Sequence, residues 1–323
     1  MIHLFKSTSA ARVCAAVSVL TLLFAACSPA SSKEVPSTGG ADTVTFSMQD
    51  SAFFVRALAA SREQDFSLLQ TDGFLLEKKI SLPQKILFFA EMFAGKPYAE
   101  KTLEVNGLRE KLVVNSREVD CTTFVDQVLA LALTSEAGET SFASFCHQLT
   151  RLRYHDGRID GYASRRHYFL DFVRAATDGG KQILLPVSDS RAVTRDVTLS
   201  FMSAHPQAYQ QLSQSPELAR SIRDVERSIG NFRVSYFPKT DKSLFAQPTS
   251  PVRDGDIVAL VTQVEGLDVS HLGIACWQDG QLHMMHASSA VGRVLLDERT
   301  LYSYLQQRKS CPGVLVYRFN AGE

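Results

Sequence analysis

The sequence lacks an excess of charge of either sign. Its 323 residues include 34 basic and 34 acidic side chains, so the formal net charge is zero. This balance argues against a nucleic-acid-binding protein, because such proteins need a net basic face to displace counterions from phosphates. Glycine and proline, at 18 and 11 residues, are too few for a collagen-like or low-complexity chain.

Familiar ligand-binding motifs are also missing. The chain contains no Walker loop, no GxGxxG, no CxxC, no HExxH and no internal repeat. It therefore lacks the common sequence signals of nucleotide-binding folds and of zinc proteases. What it does have is apolar content, at 45% of the residues, which suffices for the core of one large domain or two small ones.

Residues 1–26 have the layout of a secretory signal. Lys6 and Arg12 precede an apolar run that is too short to span a membrane, and the segment holds no acidic residue. The run ends in Leu23-Phe24-Ala25-Ala26-Cys27, which resembles the lipobox of bacterial lipoproteins. We therefore expect cleavage after residue 26 and a lipid anchor on Cys27, on the periplasmic side of the outer membrane. A plain cleaved signal peptide is the alternative.

The rest of the chain divides into a tether and one folded domain. Residues 27–50 are rich in Ser, Thr, Pro and Gly, which is typical of a flexible linker. Residues 51–323 first show helical periodicity and then, from Asp256 onward, short apolar strand patterns. This order predicts an α+β fold with a mostly antiparallel sheet. A helical pattern at about residues 201–230 is predicted to be an insertion.

Three helices are predicted in the first half of the domain. One begins after Ser81 and stops at Gly95, a second runs from Cys121 to Leu133, and a third covers residues 142–152. Cys121 therefore stands at a helix start, where unpaired N–H groups and the helix dipole lower the pKa of a thiol. A thiol in that position is a candidate nucleophile.

Two histidines come together in a predicted hairpin. Asp279-Gly280 lies between two apolar runs, which is a strong signal for a two-residue turn. The register set by that turn puts His271 and His286 on one face of the sheet as diagonal neighbours. A three-residue loop would reverse this assignment, because a shift of one residue moves a side chain to the other face.

The face that carries His271 also carries Gly273 and Ala275, whose small size is expected to let the helix of Cys121 pack closely. This arrangement gives a thiol, an imidazole to accept its proton, and His286 to orient that imidazole, as in cysteine acyl-transfer enzymes. Two alternatives stay open at this point. Either the histidines are ordinary sheet residues, or they and Cys121 are the ligands of a catalytic zinc ion.

An ordered set of short motifs resembles one known family. The set covers about residues 80–318, and its longest piece is Arg117-Glu118-Val119-Asp120-Cys121-Thr122-Thr123-Phe124-Val125. The other pieces are Leu103-Glu104, Val113-Val114-Asn115, Tyr154 with Asp156-Gly157, Ser164-Arg165-Arg166-His167-Tyr168-Phe169, Phe201-Met202-Ser203 with His205-Pro206, Phe237-Pro238-Lys239, Ser270-His271-Leu272-Gly273-Ile274 and His286-Ala287-Ser288. Together they resemble the N-acetylmuramoyl-L-alanine amidase-like branch of the NlpC-type cell-wall hydrolases. Val119, where Leu is common, and Asp126, where Glu is common, are mild departures.

This resemblance implies a papain-like α+β fold and an amidase that acts on peptidoglycan fragments, with no cofactor and no metal. By position, Cys121 is implied as the nucleophile, His271 as the base and His286 as the residue that orients the base. Tyr98 matches the family's active-site tyrosine. It is expected to help the Cys121 backbone N–H bind the oxyanion.

A further group of residues is expected to bind the substrate. Arg165, with His167 and Tyr168, is the candidate site for a stem-peptide carboxylate, because a guanidinium binds carboxylates in a bidentate manner. Asp120 and Ser270, which directly precede the nucleophile and the base, are assigned to the same role.

Alternatives remain for this group and for the activity. Arg165 is equally well explained as a structural residue paired with Asp160 or Asp171, and Arg166 is expected to point outward. The leading functional hypothesis is hydrolysis of the amide between N-acetylmuramic acid and L-Ala. The alternatives are an endopeptidase that cuts between L-Ala and D-Glu, a non-catalytic cell-wall-binding lipoprotein and, more distantly, an acyltransferase.

Overall fold

The computed structural model describes residues 44–65, 68–71, 74–77, 80–178 and 181–320. All of them belong to one compact unit. The predicted signal segment, Cys27 and most of the predicted tether lie outside the described residues. In the part of the chain that is described, no helix is both long and apolar enough to cross a membrane.

The first layer of the fold consists of helices. It contains α1 (Met48–Asp65), α2 (Leu82–Met92), α3 (Cys121–Glu136) and α4 (Phe142–Arg153). The three predicted helices are confirmed as α2, α3 and α4. Residues 123–135 of α3 are all buried, because this helix is apolar on most of its circumference and lies at the centre of the layer.

A buried lysine ties α3 to the two helices before it. The Lys85 ammonium on α2 lies 2.8 Å from carboxylate oxygens of both Asp65, at the end of α1, and Glu136, at the end of α3. Its side chain is fully buried. A buried cation of this kind is strongly destabilising unless both partners are present, so these contacts hold the three helices in register.

The second layer is an antiparallel sheet of eight described strands in the order β13-β12-β11-β10-β14-β9-β8, with β7 paired to β14. Its strands are β7 (Leu184–Pro186), β8 (Val193–Thr198), β9 (Asn231–Pro238), β10 (Ile257–Val261), β11 (Val269–Gln278), β12 (Gln281–Ser288), β13 (Arg293–Leu296) and β14 (Gly313–Phe319). The predicted hairpin is confirmed as β11 and β12: Gln278 pairs with Gln281, and both Asp279 and Gly280 have positive φ.

Shorter elements complete the described chain. These are the strands β1 (Val44–Thr45), β2 (Leu68–Thr71), β3 (Phe74–Glu77), β4 (Leu112–Val113), β5 (Thr177–Asp178) and β6 (Lys181–Gln182), and the helices α5 (Phe169–Ala175), α6 (Phe201–Ala204), α7 (Gln210–Gln214), α8 (Pro216–Ile229) and α9 (Leu301–Gln306). The helices α6, α7 and α8 occupy the predicted helical segment, between β8 and β9. That this segment is an insertion stays a prediction.

The predicted end of the tether at residue 50 is wrong. Strand β1 pairs with β4, and α1 begins at Met48. Asp50 is fully buried and accepts hydrogen bonds of 2.8 Å from the backbone N–H and the hydroxyl of Ser116. The folded domain therefore begins by Val44, because these residues are held by backbone pairing and by a buried carboxylate that composition does not reveal.

The sheet has a different core on each face. On one face, Leu272 and Ile274 of β11 pack with α3. On the other face, Ala275 packs with Leu301 and Tyr304 of α9. Side chains alternate along a strand, so His271 lies on the α9 face.

The expectation that Gly273 and Ala275 are small so that the helix of Cys121 can pack closely on them is therefore wrong, because that helix packs on the opposite face. A Cβ on Gly273 would lie 2.4 Å from the side chain of Met284 on the neighbouring strand. Glycine is required at position 273 by that cross-strand neighbour rather than by a helix.

Candidate active site

A cavity opens where the N-terminus of α3 meets the beginning of β11. Its volume of about 150 Å³ is roughly ten times what one water molecule needs, so the cavity admits part of a ligand. Its lining includes Cys121, Ser270 and His271, here called the thiol wall. The lining also includes Arg153, Arg165 and Arg166, here called the arginine wall.

Cys121 is the first residue of α3, as predicted. The preceding Asp120 caps the helix, because its carboxylate accepts a 2.7 Å hydrogen bond from the backbone N–H of Thr123. The backbone N–H of Leu272 donates to the Cys121 sulfur and favours the thiolate, but burial and the Asp120 carboxylate raise the pKa of the thiol to about 11. The expected lowering of this pKa is wrong, since desolvation outweighs the helix N-terminus.

His271 on β11 and His286 on β12 are in direct contact, which confirms that they share a face. Nε2 of His271 lies 2.7 Å from Nδ1 of His286, and the two rings meet edge to face. His286 is fully buried. Cys121 and His271 line the same cavity. Among the described residues, no hydrogen bond joins the Cys121 sulfur to His271.

Behind the histidine pair lies a carboxylate that the sequence analysis missed. Oδ2 of Asp297 is 3.3 Å from Nε2 of His286, and both oxygens of Asp297 accept hydrogen bonds from the Arg299 guanidinium, at 2.9 and 2.7 Å. A signal was present, because β13 pairs with β12 and continues to Asp297 opposite Met284. Met284 and His286 are two residues apart on β12 and share a face of the sheet. Asp297, opposite Met284, therefore lies on the face of His286.

The ionisation states fix the direction of these hydrogen bonds. Burial lowers the pKa of His271 to about 3 and also lowers the pKa of His286, so both rings are neutral at neutral pH. Burial raises the pKa of Asp297, but the hydrogen bonds from Arg299 outweigh it and lower this pKa to about 2. An ionised carboxylate only accepts, so Nε2 of His286 carries its proton and Nδ1 of His286 accepts. Nε2 of His271 then donates to His286, which leaves Nδ1 of His271 free to accept a proton.

Tyr304 of α9 is a second residue that the sequence analysis missed. Its ring centroid lies 5.4 Å from that of His286 and 6.5 Å from that of His271. The guanidinium groups of Arg299 and Arg308 contact the same ring, at 4.9 and 4.2 Å. The ring therefore packs against both the histidine pair and the two cations, and this packing restricts how the imidazoles can turn.

Tyr98 lies close to the thiol, as the resemblance implied. It forms a β-bridge with Val119, just before the start of α3. Burial, together with the nearby Cys121 and Asp120, raises the pKa of Tyr98 to about 12. The hydroxyl is therefore a neutral donor at neutral pH, and its expected role in binding an oxyanion stays a prediction.

Arg165 is neutralised by two glutamates that were not expected to pair with it. It is almost completely buried, and its guanidinium lies 2.5 Å from Glu104 and 3.7 Å from Glu110. The alternative pairing with Asp160 or Asp171 is wrong, because these long-range glutamates take that place.

The other residues expected to bind substrate have structural partners too. Nε2 of His167 lies 3.0 Å from the carbonyl of Tyr162, and burial lowers the pKa of His167 to about 3. The Tyr168 hydroxyl donates to Glu226, at 2.5 Å, and accepts from the N–H of Met202, at 2.9 Å.

Of the five predicted substrate-binding residues, Arg165, His167, Tyr168 and Ser270 line the cavity. The exposed Ser270 donates to the carbonyl of Leu260, at 3.4 Å, and Asp120 is the helix cap described above. Their role in binding a substrate stays a prediction.

Arg166 does not point outward, contrary to expectation. It is partly buried and lines the cavity, and Nη1 donates to the carbonyls of Arg151 and Leu152, at 2.8 Å each. These carbonyls belong to the last turn of α4, whose unpaired acceptors draw the guanidinium inward.

The alternative of a zinc site finds no ligand cluster. Among the residues that the structure describes, no three His, Cys, Asp or Glu side chains are arranged to hold a metal ion. Nε2 of His271 and Nδ1 of His286 are engaged with each other. The other described thiols, Cys146, Cys276 and Cys311, are free.

Comparison with known proteins identifies the family. The model of the AmiA-like family, described as N-acetylmuramoyl-L-alanine amidase-like, matches residues 88–314. The chain belongs to this family, which confirms the resemblance seen in the sequence. No curated protein matches the chain significantly.

Solved structures agree with the family match. An N-acetylmuramoyl-L-alanine amidase from Bacteroides uniformis is 37% identical, with a TM-score of 0.68, over 74% of this chain and 99% of that one. A Bacteroides fragilis protein with a provisional xylanase name is 39% identical, with a TM-score of 0.64, over 72% of this chain and 99% of that one. A Legionella pneumophila protein of the DUF1460 family shares the fold, at 19% identity and a TM-score of 0.61, over 84% of this chain and 94% of that one.

Proposed function

We propose that the protein is a cysteine-dependent N-acetylmuramoyl-L-alanine amidase with a papain-like fold of the NlpC type. The observation that carries the proposal is the chain of hydrogen bonds from Asp297 through His286 to His271. It leaves a neutral ring nitrogen available in the same cavity as Cys121, within a family described as amidase-like. The substrate is the amide that joins the lactyl group of N-acetylmuramic acid to L-Ala.

The proposed reaction starts from an uncharged pair. As the Cys121 sulfur attacks the amide carbonyl carbon, its proton moves to Nδ1 of His271. The negative charge passes to the carbonyl oxygen, where the Cys121 backbone N–H and the Tyr98 hydroxyl are the proposed donors. His271 then gives its proton to the amine of L-Ala, which leaves with the peptide, and a thioester remains on Cys121.

Water completes the cycle. His271 accepts a proton from water as the oxygen attacks the thioester carbon, and it returns a proton to the departing sulfur. The products are a carboxylic acid on the muramic acid and a peptide that begins with L-Ala. Throughout, His286 accepts the Nε2 hydrogen of His271, and Asp297 stabilises the imidazolium that forms in each half-reaction.

Glycoside hydrolysis, which the Bacteroides fragilis name suggests, fits this cavity poorly. That chemistry uses two carboxylic acids that face the sugar, one of them free to protonate the leaving group. Both carboxylate oxygens of Asp126 in the cavity lining accept hydrogen bonds from one edge of the Arg153 guanidinium, at 2.9 and 3.1 Å. Asp268 accepts from the backbone N–H groups of Leu170 and Val269, at 2.8 Å each. Both acids serve as structural acceptors.

The proposed place of action is the cell envelope. Peptidoglycan lies there, and the sequence of residues 1–27 supports a lipid anchor on Cys27. In an expressing bacterium, Cys27→Ala should move the protein from the membrane fraction to the soluble fraction. Equal membrane association of the two forms would contradict a lipid anchor.

Mass spectrometry of the products from one defined muropeptide tests the proposed activity. The expected products are free N-acetylmuramic acid and an intact peptide that starts with L-Ala. A peptide that starts with D-Glu would instead establish the endopeptidase, and binding without turnover would support the non-catalytic alternative. The reaction should withstand a chelator and stop after alkylation of the thiol.

A further inference from the structure

The three guanidinium groups of the arginine wall differ in how their charge is balanced. Arg153 is paired with Asp126, and Arg165 is paired with Glu104 and Glu110. Among the described residues, Arg166 forms no ion pair. The acids that act on it electrostatically are Asp171 and Asp156, and the Asp171 carboxylate is already bound to His155, at 2.7 Å.

Arg166 also has an unused donor. Its Nε is buried and has no hydrogen-bond partner. A buried donor without a partner is unfavourable, and more so when it is charged, so such a group in a native structure calls for an explanation. Burial lowers the pKa of Arg166, which has the same cause: the charge has left water without gaining a counterion.

The backbone of α4 holds this guanidinium in place. The two hydrogen bonds from Nη1 to the last turn of α4 fix the plane of the group. They leave Nε and Nη2, one edge of the fork, for another partner. A guanidinium edge binds a carboxylate through two parallel hydrogen bonds, and a fixed edge loses little entropy when it does so.

We propose that Arg166 binds the stem-peptide carboxylate that lies nearest to the scissile amide, which makes it a specificity-determining residue. The inference rests on the proposed amidase function and names the form of substrate preferred. Cys121 and Arg166 share a cavity of only about 150 Å³, so the anionic group must be close to the reacting bond. In a stem peptide that begins L-Ala-D-Glu, with the chain continuing through the γ-carboxyl, that group is the free α-carboxylate of D-Glu.

Two muropeptides that differ by one group test the proposal without any mutation. One carries the free carboxylate on D-Glu and the other carries a carboxamide there. Because a hydrogen-bonded charge pair is lost with the carboxamide, we expect wild-type kcat/KM to be about 10- to 100-fold higher for the acid, mostly through KM. Equal kcat/KM for the two substrates would overturn the proposal.

Variants then assign the preference to one residue. Arg166→Gln should lower kcat/KM for the acid to the value for the carboxamide and leave the carboxamide value nearly unchanged. Arg166→Lys should keep part of the preference. Arg158→Gln, which removes an exposed arginine of the same loop, is the matched control and should behave as wild type. A preference that survives Arg166→Gln would overturn the assignment.

Binding separates failure of this proposal from failure of the proposed function. If neither muropeptide is cleaved by the wild type, the amidase function is wrong, but calorimetric titration of the Cys121→Ala protein with the same two compounds still measures the preference. Tighter binding of the acid than of the carboxamide, lost when Arg166→Gln is added to the Cys121→Ala protein, would support the proposal. Equal affinity for both compounds would contradict it.

Discussion

The two walls of the cavity handle charge in opposite ways. On the thiol wall, Cys121 and His271 are both neutral at rest. The Asp120 carboxylate beside Cys121 is held as the cap of α3, and the charges of Asp297 and Arg299 are paired with each other behind His286. On the arginine wall, three permanent cations line the cavity, and Arg166 has no counterion among the described residues. Under the proposed function, the thiol wall develops charge only during the reaction, whereas the arginine wall offers charge before the substrate binds.

This contrast follows from the elements that build each wall. The thiol wall is made by a buried helix and a sheet, where desolvation opposes any isolated charge. The arginine wall comes from the end of α4 and the loop after it. There, backbone carbonyls and glutamates from a distant segment support guanidinium groups. Arg153 and Arg165 are nearly completely buried, and Arg166 is partly buried, so backbone and carboxylate partners rather than water hold these cations in place.

Removal of the nucleophile should have the largest effect. Cys121→Ala is expected to lower kcat by at least about 10⁴-fold, because in the proposed reaction the thiol makes the bond to carbon and no neighbouring group replaces it. Cys276→Ala, at a half-buried thiol on β11, should leave kcat unchanged. The measurement is product formation from a defined muropeptide. Cleavage by Cys121→Ala at the wild-type rate would contradict the role of Cys121 as the nucleophile and, with it, the proposed difference between the two walls.

Loss of the charge behind His286 should have the next largest effect. Asp297→Asn is expected to lower kcat by about 10²-fold, because an amide N–H can donate to Nε2 of His286. That reverses the hydrogen bonds and places a proton on Nδ1 of His271. KM should change little. Asp224→Asn, at an exposed aspartate on α8, is the control. An unchanged kcat for Asp297→Asn would show that the carboxylate does not set the tautomer.

The resting charge state predicts a pH dependence. Because burial raises the pKa of Cys121 to about 11 and lowers that of His271 to about 3, the thiolate fraction should grow steadily as pH rises through the neutral range. The alkylation rate of Cys121 by iodoacetamide should therefore increase about tenfold per pH unit between pH 6 and pH 9. A rate that is flat over this range would mean a preformed thiolate–imidazolium pair.

The smallest effect on catalysis should come from Tyr168. Tyr168→Phe removes the hydroxyl that bonds Glu226 and the Met202 N–H, so it should lower the free energy of unfolding by about 1–3 kcal/mol. It should leave KM nearly unchanged, because that hydroxyl is committed to α6 and α8. Tyr302→Phe is the control. Thermal unfolding and steady-state kinetics are measured on both variants. A raised KM with unchanged stability in Tyr168→Phe would instead support a role for Tyr168 in substrate binding.

Local patterns in the sequence predict much of this site. The Asp279-Gly280 turn fixes a register within a few residues, and that register places His271 beside His286. The capped start of α3 likewise follows from adjacent residues. These predictions succeed because strand alternation and helix capping depend on near neighbours.

Other features depend on contacts between distant segments. The partners of Arg165 come from residues 104 and 110, and the raised pKa of Cys121 results from burial. Arg165 and Arg166 are adjacent in sequence, but the path of the loop around the end of α4 pairs Arg165 with glutamates and leaves Nε of Arg166 without a partner. Strands β8 and β9 were not expected either, since β8 is mostly exposed and lacks an apolar alternation.

The most direct test of the central claim compares amidase activity with the alkylated fraction of Cys121 in the same samples. Aliquots are taken as iodoacetamide reacts at pH 9, the fraction of each alkylated thiol is measured by peptide mass spectrometry, and residual cleavage of the muropeptide is measured in parallel. Activity should fall in proportion to the alkylated fraction of Cys121 and be independent of that of Cys276. Full activity in a sample whose Cys121 is completely alkylated would contradict the account.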